Sequence, residues 1–255
     1  MKLRAVVITL RRTPERLAWF QRNNPTAADG FAALEGIDGQ ELLDTLARSR
    51  LISASALQRW TPGALGVALS HLRCWQQCLR QGQPMVIAED DVVLAPDWQA
   101  ALHNLLTSHG KPWDLVLLGW NYNSVLHGVD DSGMGSLQLF EPAYPDLAQI
   151  HTILHSNRPR QLQQLQHAFG LPTYVISPKG AARLLAEVVP LRSVPLKIGR
   201  GVPMVETFGV DGLMNLFYRQ MDSWVVNPPL AVALNNPNTS LTNKADTPAP
   251  SNFGH

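Results

Sequence analysis

Met85-Val86-Ile87-Ala88-Glu89-Asp90-Asp91 decides how the rest of the chain is read. Four consecutive apolar residues, two of them β-branched, describe a strand covered on both faces, the pattern of a buried strand in a parallel sheet. Three carboxylates follow at once. Open parallel sheets bind ligands beyond the carboxyl ends of their strands, so these acids stand where chemistry is expected. In extended chain Glu89 and Asp91 point to one side and Asp90 to the other. Adjacent carboxylates at such an edge repel one another and lose hydration, and a divalent cation offsets both effects. Hard ions such as Mg2+ or Mn2+ favour a few carboxylate oxygens completed by substrate phosphates. A solvated turn with its acids facing water is the competing reading of the same residues.

On the N-terminal side, Ala5 to Leu10 is another short apolar run, followed by Arg11-Arg12-Thr13-Pro14-Glu15-Arg16. Thr13 is placed to cap a helix that has Pro14 at its first position. Thr9, Arg11 and Arg16 therefore lie at a strand-to-helix junction, where free amides and the helix dipole favour an anion. Glu35 to Gln40 reads as a strand end and turn. Leu65, Leu69, Leu72, Trp75 and Leu79 then repeat with helical spacing from about Leu65 to Arg80, and Ser70 and His71 sit beside that stripe.

On the C-terminal side, Pro96 and Asp97 open a helix through Leu102 and Leu106, and Trp113 to Gly119 reads as a strand. Residues 121–145 lose all pattern and read as a long surface loop, and Gln161 to Gln166 as a polar helix or loop flap. Pro172 to Ile176 is a strand, Ser177 caps a helix with Pro178 at its start, and Trp224-Val225-Val226 makes a last strand. Asp211 precedes a further helical stretch, Leu213 to Tyr218. Alternating strands and helices predict one α/β domain with a mainly parallel central sheet flanked by helices. It spans residues 1–234, with a variable insertion at about 121–172 and a loose tail at 235–255.

Composition narrows the function classes. The chain has 255 residues, enough for one or two domains, and 45% are hydrophobic, enough for a substantial core. Only 16% are charged, and 21 Lys and Arg against 20 Asp and Glu leave a net +1. That balance lacks the basic surface that nucleic-acid binding requires. Cys74 and Cys78, one helical turn apart, read as buried apolar residues in a reducing compartment. Met1 to Leu10 has early positive charges and an apolar run, but arginines stand where a signal cleavage site should be. No stretch reaches the roughly 20 apolar residues of a membrane span. A cytoplasmic protein is expected, with peripheral contact at the inner membrane left open. No nucleophile elbow and no Gly-x-Gly-x-x-Gly after the first strand occur, so neither a covalent hydrolase nor a dinucleotide enzyme is supported.

Four segments, in order, resemble glycosyltransferase family 25, the group of lipooligosaccharide galactosyltransferases and collagen-modifying galactosyltransferase domains. They are Val6 to Arg16, Gly63-Ala64-Leu65-Gly66 through Ser70-His71, Val86 to Val92 around the acids, and Thr173 to Ala181. The resemblance implies a GT-A-like fold and an inverting transfer of a sugar, usually galactose from UDP-galactose, to a glycan or glycolipid acceptor such as lipooligosaccharide. It implies that Asp91, helped by Glu89 or Asp90, holds Mn2+ or Mg2+ on the donor diphosphate. It also implies that Thr9, Arg11, Arg16, Ser70, His71 and Glu89 line the donor site.

Inversion needs a base for the acceptor hydroxyl, and Gly209-Val210-Asp211-Gly212 resembles the family's late Val-Asp motif. Asp211 is thus the expected base, with Asp90 the second catalytic acid; a plain helix cap is the alternative for Asp211. UDP-glucose or another donor, and a catalytically idle relative that binds a glycan or a partner, are the competing functions. Acceptor identity, linkage and oligomeric state are not legible.

Overall fold

A computed structural model describes residues 3–41, 45, 48–141, 143–199 and 201–235. The expected C-terminal tail lies outside them apart from Asn235. One sheet is built from β1 (Arg4–Thr9), β2 (Phe31–Glu35), β3 (Met85–Glu89), β5 (Leu115–Leu117), β6 (Val125–Val129), β7 (Gly135–Leu139), β8 (Gln161–Ala168), β9 (Thr173–Ile176) and β12 (Ser223–Asn227). Their order across it is β2-β1-β3-β9-β5-β12-β8-β6-β7. A ribbon of β4 (Val92–Leu94) and β13 (Ala231–Ala233), and another of β10 (Pro195–Leu196) and β11 (Val205–Glu206), stand apart from it.

Helices cover both faces of the sheet's centre, which is why β3, β5 and β9 are apolar on both sides. On β3 the side chains alternate: Met85 and Ile87 join one core cluster, Val86 and Ala88 the other. The first cluster is closed by α2 (Ala54–Arg59), α3 (Pro62–Gln81), α6 (Pro178–Val188) and α7 (Val210–Met214). The second is closed by α1 (Pro14–Asn23), α4 (Trp98–His109), α5 (Leu147–Leu154) and the β4–β13 ribbon. Ser177 caps α6 by accepting from the Gly180 N–H, and Gly82 ends α3 in the left-handed region at φ 62°.

The sheet corrects the expected parallel arrangement. Strands β1, β2 and β3 are mutually parallel, as are β5 and β12. The other pairings, β3–β9, β5–β9, β12–β8, β6–β8 and β6–β7, are antiparallel. The error has a physical source. A strand covered on both faces shows a continuous apolar run whichever way its neighbour points, so Thr173–Ile176 gives no sign that it runs backwards between β3 and β5.

Four local expectations are corrected as well. Residues 121–145 are not a patternless loop but contain the β6–β7 hairpin. Gln161–Gln166 belong to β8; Leu162 and Leu165 face opposite cores, and a register shift opposite His127 and Gly128 breaks the two-residue period, giving helix-like spacing. Leu79 leaves the buried stripe of α3 and is 45% exposed. Thr13 makes no side-chain cap, although Pro14 does start α1.

Because β3 and β5 are both antiparallel to β9, they end at the same edge. There Glu89 N–H donates to Pro172 O at 3.0 Å and Leu118 N–H to Thr173 O at 2.9 Å. Strand β1 ends beside them, with Ile8 paired to Glu89. Thr9, Glu89 and Trp120 thus rise from one rim of the sheet.

Across β6 and β8, His127 and His167 face each other, their Nδ1 atoms 3.1 Å apart. Burial, then the positive field of Arg219, and then His127 itself push His167 down to about 4; His127 is lowered by the same first two causes. A depressed histidine contributes stability above its unfolded value near 6.5, and this is lost as pH falls through the folded value. Melting temperature should therefore drop between pH 6.5 and 4, and His167→Gln should flatten that drop in a pH series of thermal melts.

Candidate active site

Three backbone and side-chain anchors fix the acidic turn. Arg16, in the first turns of α1, places Nε 2.7 Å and Nη2 2.6 Å from Asp90 Oδ1, and Nη2 lies 3.6 Å from Asp91 Oδ2. Asn24, just past the other end of α1, donates to Val92 O at 2.8 Å and accepts from Leu94 N–H at 2.7 Å. Leu234 N–H, at the end of β13, donates to Asp91 O at 2.7 Å. Helix α1 is strapped along the turn from both ends.

Electrostatics follow from crowding. Burial pushes Glu89 up to about 8, and the charges of Asp211 and Asp90 add to it against Arg16. Burial, followed by the charge of Glu89, pushes Asp91 up to about 7. Arg16 is held above its usual value: burial opposes its charge, but the hydrogen bond and charge of Asp90, with Asp91 and Glu89, outweigh that. One guanidinium faces three carboxylates, and the raised values of Glu89 and Asp91 mean that near pH 7 the turn holds part of its charge as bound protons, which a cation would displace.

Asp211 stands in the first turn of α7 behind the N-cap Gly209, and makes no helix cap. Its Oδ2 accepts from Gly170 N–H at 2.8 Å. Gly170 has φ +81°, and a side chain there would also run into the Asn121 amide, so the hook needs glycine. Asn215 ties the hook to α7: its amide bonds Ala168 N–H at 2.9 Å, Ala168 O at 2.7 Å and Asp211 O at 2.8 Å. The Asp211 charge acts on both Glu89 and His71, which joins the late helix to the acidic turn.

His71 lies fully buried beneath. Trp75 Nε1–H donates to Tyr174 Oη at 2.7 Å, and His71 Nδ1 is 2.9 Å from the same oxygen. With Trp75 donating to it, Tyr174 Oη bridges the indole and the imidazole. His71 Nε2 is 3.5 Å from Glu89 Oε1 and makes no hydrogen bond. Burial pushes His71 down to about 4, so it is neutral at pH 7.

A profile of glycosyltransferase family 25 (LPS biosynthesis protein) matches residues 3–198. The chain belongs to that family. Membership makes it a glycosyltransferase of LPS biosynthesis, with a sugar donor and a glycan acceptor. No curated protein matches it. Two solved structures are similar at a low level. "Crystal Structure of A197 from STIV" is 13% identical, with a TM-score of 0.41 over 92% of this chain and 87% of that one. The inositol-1-phosphate CTP transferase from T. maritima is 8% identical, with a TM-score of 0.39 over 92% and 91%. Among the described residues no helix is long and apolar enough to cross a membrane.

In this family 25 chain the residues singled out from sequence fall into three groups. Glu89, Asp90, Asp91, Arg16, His71 and Asp211 converge, although Asp211 lies beyond the matched stretch. Thr9 stands on the rim, its hydroxyl buried without a partner. Two stand apart. Arg11 points outward, 85% exposed, and pairs with Glu35 at 2.7 Å. Ser70 is turned inward, accepting from Ile37 N–H at 2.8 Å and donating to Gly66 O at 2.7 Å.

The sequence reading missed Asn24, Gly170 and Asn215, which act through backbone groups or other side chains and carry no motif, and it gave no role to Tyr174 although that residue lies in the Thr173–Ala181 segment. It also missed Tyr144, whose phenol is raised by burial and then by Asp91, with Glu89 adding to it.

Tyr174→Phe should leave His71 and Trp75 with unsatisfied buried nitrogens and cost about 1–3 kcal/mol in urea denaturation.

Proposed function

We propose that this protein is an inverting, metal-dependent galactosyltransferase on a GT-A-like fold, moving galactose from UDP-galactose to a hydroxyl of a glycan acceptor such as lipooligosaccharide. One observation carries the reading: a carboxylate mounted on a glycine hook, Asp211, shares a site with a turn of three carboxylates that, among the described residues, faces one guanidinium, Arg16.

A divalent ion fits the residues at that turn. Asp91 Oδ1 is buried without a hydrogen-bond partner, and the donors are all carboxylate oxygens. Among the described residues no group of three or more ligating side chains forms a closed cage. Mg2+ and Mn2+ need none, because they bind through one or two carboxylates with the rest of the shell from phosphates and water. Asp91 and Glu89 would hold the ion, since Asp90 is engaged by Arg16. Bound there, it would supply Lewis-acid stabilisation of the departing diphosphate.

The chain's own residues do the rest. Asp211 accepts the proton of the acceptor hydroxyl as that oxygen bonds to the anomeric carbon from the face opposite the nucleotide. The bond from that carbon to the diphosphate breaks, and its electron pair leaves with UDP. Gly170 and Asn215 keep the carboxylate in place, so little reorganisation is needed at the moment of transfer. Asp90, locked to Arg16, acts as the anchor of the turn and not as a second base. Neutral His71 fills the space under Glu89 without adding charge.

Isothermal titration should show UDP-galactose binding that strengthens with Mn2+, and Asp91→Asn should remove that dependence. Cation-dependent binding that survives in Asp91→Asn would overturn the metal role.

Asp211→Asn should lower kcat by about 10²–10⁴ with donor affinity kept. A hydrolysis screen over nucleotide sugars identifies the donor, and failure of every donor–acceptor pair to turn over would favour a glycan-binding relative without catalysis.

A further inference from the structure

Strand β5 runs out at the same rim as the acidic turn, and its continuation, Trp120-Asn121-Tyr122, carries an aromatic cluster outside the residues discussed so far. Trp120 and Tyr122 stack at 5.5 Å with planes 11° apart. Phe140 meets Tyr122 at 5.2 Å and Trp120 at 6.0 Å. The β6–β7 hairpin delivers Phe140, whose N–H donates to Ser124 O at 3.0 Å, while Ser124 Oγ donates to Asn121 O at 3.0 Å. Trp120 is only 1% exposed and lies behind; Tyr122 and Phe140 are half-buried.

One backbone contact and one electrostatic link relate this cluster to the carboxylates. On one flank, Asn121 N–H donates to Phe169 O at 2.7 Å, and the Asn121 amide packs against Gly170, the hook of Asp211. On the other flank is Tyr144, which interacts electrostatically with Tyr122, Asp91 and Glu89. Its hydroxyl is buried against the Tyr122 backbone with no acceptor for its own proton, and Trp120 Nε1 is buried without a partner. Buried donors left unpaired at a rim of flat apolar rings call for a ligand that brings both an apolar face and hydroxyls.

We propose that Tyr122 and Phe140, backed by Trp120, form a platform on which the acceptor's pyranose ring stacks. A pyranose presents axial C–H groups on one face, suited to a ring, and hydroxyls around its edge, suited to Tyr144 Oη. The acceptor is favoured over the donor sugar because Asn121 ties the platform to the mount of Asp211, the group that must reach the acceptor hydroxyl. This rests on the transfer reading above and names the acceptor side of that same site.

Saturation-transfer NMR of the full chain with methyl β-D-galactopyranoside and methyl β-D-glucopyranoside tests it. Saturation should reach the ring C–H protons of at least one glycoside. Tyr122→Leu and Phe140→Leu, which keep apolar volume, should lose it, and Tyr122→Phe should keep it; thermal melts confirm that each variant is folded. With UDP-galactose as donor and the glycoside as acceptor, Tyr122→Leu should raise acceptor KM about tenfold and leave donor KM unchanged. Saturation that survives in both leucine variants overturns the platform, as does a rise in donor KM alone. Glycoside contact at the rings with no cleavage of any UDP-hexose by the wild type would overturn the transfer reading and support the platform. Turnover by the wild type with no contact at Tyr122 would do the reverse.

Discussion

A strand buried on both faces ends in three adjacent carboxylates, and a single buried guanidinium stands against them. The architecture around the site answers that constraint. Removing one partner of a buried ion pair leaves an uncompensated charge, a loss of about 3–5 kcal/mol, so Arg16 cannot be treated as a surface arginine. It reaches Asp90 only because α1 lies along the turn, and α1 stays there because Asn24 grips the backbone of β4 beyond the acids. One helix therefore supplies both the charge at the start of the turn and the clamp after it.

The second half of the site is held by different means. Among the described residues no cation pairs with Asp211; its carboxylate hangs on one backbone N–H, presented by a glycine in the left-handed region and tied down by the Asn215 amide. A carboxylate fixed by a neutral donor keeps its charge available, whereas Asp90, fixed by an arginine, has its charge already matched. Two aspartates in one site thereby acquire different chemistry from their partners alone.

Much of this was legible in the sequence. The runs at Ala5–Leu10 and Met85–Ala88, the cap at Ser177, and the acids at 89–91 all follow from local pattern, and local pattern is what sequence displays. Two kinds of feature were hidden. Strand direction leaves no trace in a run such as Thr173–Ile176 that is covered on both faces, so the antiparallel β9 read as parallel. Contacts through backbone atoms were the other: Gly170 and Asn24 bind main-chain or carboxylate groups far along the chain, and neither residue type advertises its partner. Ser70 and Arg11 mark the opposite limit. Both stand in stretches that resemble the family, yet one hydroxyl is used up within the core and the other side chain projects into solvent.

The bond from Leu234 to Asp91 also governs when the site comes into being. The acidic turn is made early as the chain leaves the ribosome, and Arg16 and Asn24 are already present to meet it. Asp211, its hook partner Asn215, and the strand that grips Asp91 emerge only much later. Contacts between distant parts of a chain form after local ones, because the loop between them must first close. The order of synthesis thus leaves the carboxylates without their full frame until the C-terminal strand docks. The backbone frame of the acidic turn closes only when Leu234 reaches Asp91.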